Sequence, residues 1–299
     1  MPHFPEPRST FVGTGTHRLH VAHWGDPKAP AIILQHGLRD HARSWDWIAQ
    51  PLAERFHVIA PDLRGHGDSD WAGPVGYTMA AFVLDLTDIV AASCLEQFAF
   101  VGHSLGGAIG IRFAGAFPEQ VAGICGIECV ELPIVRDERR EPLAFARRLR
   151  DWTQAERSRR RRTARSYPTR DHARARMAKG QETLDDETVA HLVQHALLAD
   201  ADGGWSWKYD NAARFRSPDD AAGEDLDSCL AAISCPVLLA YGELSWIPVP
   251  PAKRLAKLRD HRVVMFPRAS HWLHHQARAD FERELNSFLH SSLESPFHA

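Results

Sequence analysis

Gly102-His103-Ser104-Leu105-Gly106 sets a serine between two glycines, after the apolar run Gln97–Val101 and before the helical pattern Ala108–Phe117. A serine hydroxyl attacks only when a base takes its proton and its position exposes it to a substrate. A sharp turn between strand and helix lifts such a hydroxyl off the sheet. The flanking glycines let neighbouring backbone pass without a Cβ clash. The helix that follows aims free N–H groups and partial positive charge at an oxygen gaining negative charge. The chemistry this supports is attack on a carbonyl, with an acyl-enzyme as intermediate.

The base must be chosen from 18 histidines. His271 lies in a loop, after the strand-like Arg262–Met265 and at the start of the helical pattern Trp272–Leu289. An imidazole there is free to turn toward the serine, and its ordinary pKa near 6.5 suits taking and returning a proton. His274 and His275 fall inside the helical pattern and read as helix-surface or packing residues.

These residues need a scaffold that brings them to one edge. Short apolar runs at Leu19–Trp24, Ala31–Gln35, His57–Ala60, Gln97–Val101, Val121–Ile127, Pro236–Tyr241 and Arg262–Met265 read as strands. Helical patterns at Ser44–Arg55, Thr78–Ala91, Ala108–Phe117 and Trp272–Leu289 alternate with them. Strand and helix in this rhythm predict an α/β fold, with a mostly parallel sheet flanked by helices. Residues Pro133 to about Asp227 break the rhythm. They hold no convincing strand and read as helices interrupted by Pro142, Pro168, Gly180, Gly203-Gly204 and Pro218. The arginine run Arg157–Arg165 in this stretch reads as a solvated face, because no stacking aromatics are interleaved within it.

Taken together, these motifs resemble the α/β-hydrolase superfamily over about residues 17–131 and 229–290. His36-Gly37-Leu38 looks like its oxyanion loop, Asp62-Leu63-Arg64-Gly65-His66-Gly67-Asp68-Ser69 like its turn after the next strand, and Gly102–Gly107 like its nucleophile elbow. Ser270-His271 matches the place of its histidine. The resemblance implies Ser104 as nucleophile, His271 as base, and the backbone N–H groups of Leu38 and Leu105 as oxyanion donors. The role of His36 stays open between shaping the loop and direct catalysis. The family often carries an aspartate three residues after a glycine that ends the strand before the histidine. That slot holds Ser245 (Gly242-Glu243-Leu244-Ser245), which has no negative charge to orient an imidazole. Some dehalogenases of the superfamily instead carry a glutamate after the strand that follows the nucleophile helix. Glu128 stands there, at 128 − 104 = 24 residues beyond Ser104. A carboxylate ending an apolar strand is costly unless paired, and a histidine would pair it. Glu128 is therefore the expected acid, with Glu131 and Glu243 as alternatives. The elbow carries serine, not the dehalogenase aspartate, so the expected reaction is acyl transfer to water.

The resemblance further implies a core of residues 1–132 and 228–299 with a helical cap, 133–227, inserted over the site. Trp152, Trp205, Trp207, Tyr209 and Phe215 either line the pocket or pack the cap's own core. The expected substrate is a small to medium, fairly apolar ester or lactone. Carbon–carbon bond or amide cleavage on the same triad, or ligand binding with weak catalysis, are the alternatives. The 299 residues, 44% hydrophobic and 24% charged with net charge -3 and pI near 6.6, fit a soluble protein and argue against a nucleic-acid partner. Five cysteines without a CxxC pair read as reduced thiols in the cytoplasm. No run reaches the roughly 20 apolar residues of a membrane span. No cofactor motif and no metal-ligand spacing stands out in the sequence. The expected partner is a small-molecule substrate, bound by a monomer or homodimer.

Overall fold

The computed structural model describes residues 5–130, 144–159, 165–181, 183–214 and 224–294. Ten strands are seen among them: β1 (Arg8–Gly13), β2 (Arg18–Trp24), β3 (Ala31–Gln35), β4 (His57–Pro61), β5 (Phe98–His103), β6 (Val121–Ile127), β7 (Leu197–Ala199), β8 (Trp205–Trp207), β9 (Val237–Gly242) and β10 (His261–Phe266). The helices are α1 (Asp46–Leu52), α2 (Met79–Ala92), α3 (Leu105–Ala116), α4 (Ala144–Arg159), α5 (Arg170–Gly180), α6 (Asp186–Ala196), α7 (Glu224–Ala232), α8 (Ala252–Leu255), α9 (Leu273–Gln276) and α10 (Arg278–Leu289). Eight strands form one sheet in the order β1-β2-β4-β3-β5-β6-β9-β10. The pairs β1–β2 and β2–β4 are antiparallel, and the others are parallel. This is the α/β architecture expected from the alternating runs.

The central strands are buried on both faces, which is why they read as continuous apolar runs. Along β5, Phe98 and Phe100 pack with Phe82, Leu86 and Ile89 of α2 and with Ile109 and Phe113 of α3. The alternating Ala99 and Val101 face the other layer, with Ile48 of α1 and Phe281 and Leu285 of α10. Each layer hides large apolar side chains at roughly 1.5–3 kcal/mol apiece. Thr78 starts α2 by accepting the Ala81 N–H at 3.1 Å, a standard N-cap that frees no donor to the core.

Three expectations are corrected. The sequence reading has no strand before Leu19, yet β1 forms the sheet edge. Its half-exposed RSTFVG lacks the apolar run that marks a central strand, and pairing with β2 holds it extended. The stretch 133–227 is expected to hold no strand, yet β7 and β8 pair as an antiparallel hairpin. Three-residue strands are too short for a period-2 signal, and Gly203, at φ +82°, makes the turn between them. The closing helix is also two helices, α9 and α10.

The segment between β6 and β9 has a small core of its own, Tyr167, Ala173, Val189, Val193 and Leu197, against which Trp205 and Trp207 pack. Hydrogen bonds tie it to the loops at the sheet's carboxyl edge. Tyr77 donates to Asp210 at 2.8 Å, the Asp210 N–H donates to Gly65 O at 2.8 Å, and Lys208 meets Asp68 at 2.6 Å. Phe215, Glu131 and most of the arginine run lie outside the described residues. No helix among those described is long and apolar enough to cross a membrane.

A buried ion pair fixes α2 to the turn after β4. Arg64 donates from Nε and Nη2 to the two oxygens of Asp85, each at 2.6 Å, and both side chains are buried. Removing one partner leaves a charge without compensation. Asp85→Ala is expected to lower unfolding free energy by about 3–5 kcal/mol in denaturant titration. Arg64→Met combined with Asp85→Leu should recover most of the loss. A single variant as stable as the parent contradicts this.

Candidate active site

Two parallel strands end in the same way at the carboxyl edge of the sheet. After β5, Ser104 takes φ 52° and ψ -114° while its N–H donates to Ile127 O at 2.8 Å. After β6, Glu128 takes φ 55° while its N–H donates to Ala240 O at 3.0 Å. In both, the sheet ladder runs one residue further before the chain turns sharply. Positive φ costs a non-glycine residue about 1–3 kcal/mol and persists only where surrounding structure imposes it. Here the strain points two polar side chains out of an apolar sheet.

The loop after β3 lies against the elbow. A Cβ on Gly106 would meet the Gln35 and His36 carbonyl oxygens at 2.3 and 2.5 Å. A Cβ on Gly37 would meet His103 Nδ1 at 2.9 Å and the Ser104 Cβ at 3.2 Å. Only glycine permits this approach, and it brings the Leu38 segment to Ser104. Leu105 opens α3, so its N–H is among those with no intrahelical acceptor. His36 shapes the loop: its Nε2 accepts the Leu63 N–H at 3.0 Å, so Nδ1 carries the proton and donates to Gly37 O at 2.7 Å. Burial lowers its pKa and keeps it neutral.

The Glu128 side chain is fully buried. One oxygen accepts the Gly242 N–H at 2.6 Å. The other accepts the Ser245 hydroxyl and faces His271 Nδ1 at 3.2 Å. That contact puts the His271 proton on Nδ1 and leaves Nε2 with its lone pair. The Ser245 hydroxyl in turn accepts the Ile247 N–H at 3.0 Å. Glu243 is turned away, is exposed, and accepts the Arg268 N–H at 3.1 Å.

His103 joins the elbow to the histidine loop. Its Nε2 donates to the His271 carbonyl at 2.8 Å, and the two rings lie 4.7 Å apart. Trp246 lies 5.1 Å from the His271 ring on its outer side and is itself mostly exposed. The sequence reading misses both Ser245 and His103 as supports. Ser245 stands out there only as a missing carboxylate, while its use as a donor depends on where Glu128 lies. His274 and His275 pack in the interior beside His103.

A model of the alpha/beta hydrolase fold family matches residues 30–277, and the chain belongs to that family. Over 107 residues it is 41% identical to lipase LipV of Mycobacterium tuberculosis, covering 36% of this chain and 40% of that one. Over 115 residues it is 36% identical to the 3-hydroxybutyrate-oligomer hydrolase of Cupriavidus necator, covering 36% and 39%. The chain thus spans less than two thirds of the length of these curated relatives. Among solved structures it is similar to a thioesterase domain from the curacin biosynthetic pathway, with TM-score 0.77 and 21% identity over 94% of this chain and 100% of that one. It is also similar to E-2-(acetamidomethylene)succinate hydrolase, with TM-score 0.75 and 23% identity over 96% and 99%. These two likenesses speak to the fold.

Several buried histidines near the site are held neutral. Burial brings His41 down to about 4 and His66 and His275 to about 3, and pushes His103 and His274 well below 6.5. In the unfolded chain each would carry a proton below about pH 6.5. Between that pH and the folded values, the unfolded state binds more protons. Stability is therefore full above about pH 6.5 and declines as pH falls toward about 4. At about pH 5 the loss is roughly 1–2 kcal/mol for each such histidine. Thermal melts should show a midpoint that is flat from about pH 8 to 7 and drops steeply below. A midpoint unchanged down to about pH 5 contradicts the assignment.

Proposed function

We propose that this protein is a serine hydrolase of carboxylic esters or lactones, acting through an acyl-enzyme. Ser104 attacks the substrate carbonyl. His271 Nε2 takes the hydroxyl proton and returns it to the leaving alcohol, then activates water to release the acid. Glu128 orients the ring through Nδ1 and stabilises the imidazolium that forms. The N–H groups of Leu38 and Leu105 receive the oxyanion. The observation that carries this reading is the buried Glu128 carboxylate against His271 Nδ1, 3.2 Å away, beside a serine held at positive φ.

The names of the lipase and oligomer-hydrolase relatives support ester chemistry. The inserted segment, 133–227, acts as a cap that excludes water and shapes the pocket. Its Trp205 and Trp207 pack against its own core, while its Tyr209 lies under Arg39, next to Leu38. Trp246, exposed beside His271, is the residue placed to meet an apolar substrate group. A small to medium apolar ester fits it. The non-catalytic alternative loses its motive, because Ser245 serves as a donor to Glu128. The free cysteines suit the cytoplasm, with the protein acting on a small molecule as a monomer or homodimer.

Turnover of p-nitrophenyl esters of increasing chain length, together with labelling by a fluorophosphonate, checks this. Ser104→Ala should abolish both. Glu128→Gln should lower kcat about a thousand- to ten-thousand-fold. Ser245→Asp alone sets two carboxylates side by side and should reduce activity, because one of them stays protonated. Ser245→Asp in a Glu128→Ala background should regain part of the lost rate. If Glu128→Gln keeps the parental rate while Glu243→Gln loses it, the acid lies elsewhere. Wild-type turnover no faster than that of Ser104→Ala sinks the whole reading.

A further inference from the structure

Away from Ser104, a second group of chemistry-bearing side chains spans the contact between α1 and α6. Asp46 begins α1 and is fully buried. His191 and His195 lie four residues apart on α6, so they share one helix face. One ligand atom from each of the three can be chosen so that all lie within 4.8 Å of one another. The rings of His191 and His195 are 4.8 Å apart, and His191 Nε2 is 3.0 Å from Asp46 Oδ2.

Part of this group has an ordinary structural role. Arg43 donates to Asp46 through Nε, at 2.9 Å to each oxygen, and approaches it through Nη2 at 2.8 Å. His191 Nε2 also lies 3.0 Å from the Arg43 carbonyl. Arg43, Asp46 and His191 thus make a complete docking contact. His195 is not needed for it. Among the described residues neither of its ring nitrogens has a hydrogen-bond partner, and it is only partly buried. A neutral imidazole with a free lone pair, beside a second imidazole and a carboxylate, is the donor set of a nitrogen-and-oxygen metal site. His41 stands behind it, its ring 6.3 Å from that of His195, with a buried Nδ1 that has no partner.

We propose that Asp46, His191 and His195 bind a divalent transition ion, zinc being the type, and that the ion staples α6 to the core. Tetrahedral zinc holds its ligands at roughly 2.0–2.2 Å, which sets neighbouring ligand atoms about 3.3 Å apart. The 3.0 Å Asp46–His191 spacing is already near that value. On binding, the His191 proton leaves Nε2 and Nδ1 takes one up, with no net change in protonation. Arg43 Nη2 and His191 Nε2 both meet Asp46 Oδ2, so the ion takes the place of the Nη2 contact, while Arg43 keeps Nε on Asp46 and its 2.6 Å contact with Glu6. The partly exposed side of His195 gives the ion a path in and leaves the fourth position to water. The group His20, Asp62 and Asp68 offers a similar count of ligands. There, however, only one of the three is an imidazole, against two beside Asp46, and Lys208 already holds Asp68.

The test uses untagged, metal-stripped protein titrated with Zn2+ by calorimetry and with Co2+ by visible absorption. One tight equivalent, the intense visible bands of tetrahedral Co2+ and a rise in Tm with Zn2+ are expected. His195→Ala should weaken binding at least about tenfold and remove the rise in Tm. His172→Ala, an exposed histidine on α5 bound to Thr169, should change neither. Undiminished affinity in His195→Ala would mean that the ion sits at other histidines, the His103–His271 group included, and overturns the proposal. So does the absence of any tight equivalent. Serine-hydrolase activity is not a readout, so these outcomes are independent of the triad assignment.

Discussion

A single buried carboxylate organises the working edge of this protein. Glu128 sits at the end of β6 with no access to solvent, and a bare charge there would cost several kcal/mol. Its oxygens are satisfied by three groups from elsewhere in the chain: the Gly242 N–H at the end of β9, the Ser245 hydroxyl in the following loop, and the His271 ring after β10. Stabilising the charge therefore pulls three connections of the sheet toward one point. The loops after β9 and β10 also meet directly, the Leu244 N–H donating to Ala269 O at 2.8 Å, and Glu128 binds both to the end of β6. The strained backbone at Glu128 is tolerated because this pairing, and the ladder bond to Ala240, impose it.

The same economy of backbone appears at Ser104. Gly102 and Gly106, two residues to either side, must be glycine: a Cβ on Gly102 would meet the Gly107 backbone at 2.6 Å, and one on Gly106 the Gln35 carbonyl oxygen at 2.3 Å. His103 then bridges to the His271 carbonyl. The elbow, the loop after β3 and the loop that carries His271 thus form one packed unit. None of them is held only by its own chain segment. The rigid parallel sheet beneath, buried on both faces, supplies the fixed reference from which the turns project.

Much of this was legible in the residues. Strands β3 to β6 and β9 announce themselves as apolar runs, because burial on both faces leaves no room for polar alternation; β10, at the sheet edge, shows through its Val-Val-Met run although only Phe266 is buried. The strand–glycine–serine–glycine–helix order marks the elbow, because that backbone path tolerates little else. Edge strand β1 and the β7–β8 hairpin left no such trace. The first is half exposed and the second too short, so pairing rather than composition makes them strands.

The boundary between sequence and structure is clearest at the carboxylates. Sequence order favours Glu128 and leaves Glu131 and Glu243 as alternatives. Tertiary structure separates Glu128 from Glu243: one is buried against His271, and the other is exposed against the Arg268 backbone. It also turns Ser245 from an apparent deficiency into a hydrogen-bond donor, and it sets Asp46 beside two histidines from a distant helix. Local pattern determines where strands and turns fall, because steric and hydrophobic preferences act over a few residues. Which polar groups meet depends on how distant segments pack, because a hydrogen bond is decided within a few tenths of an ångström.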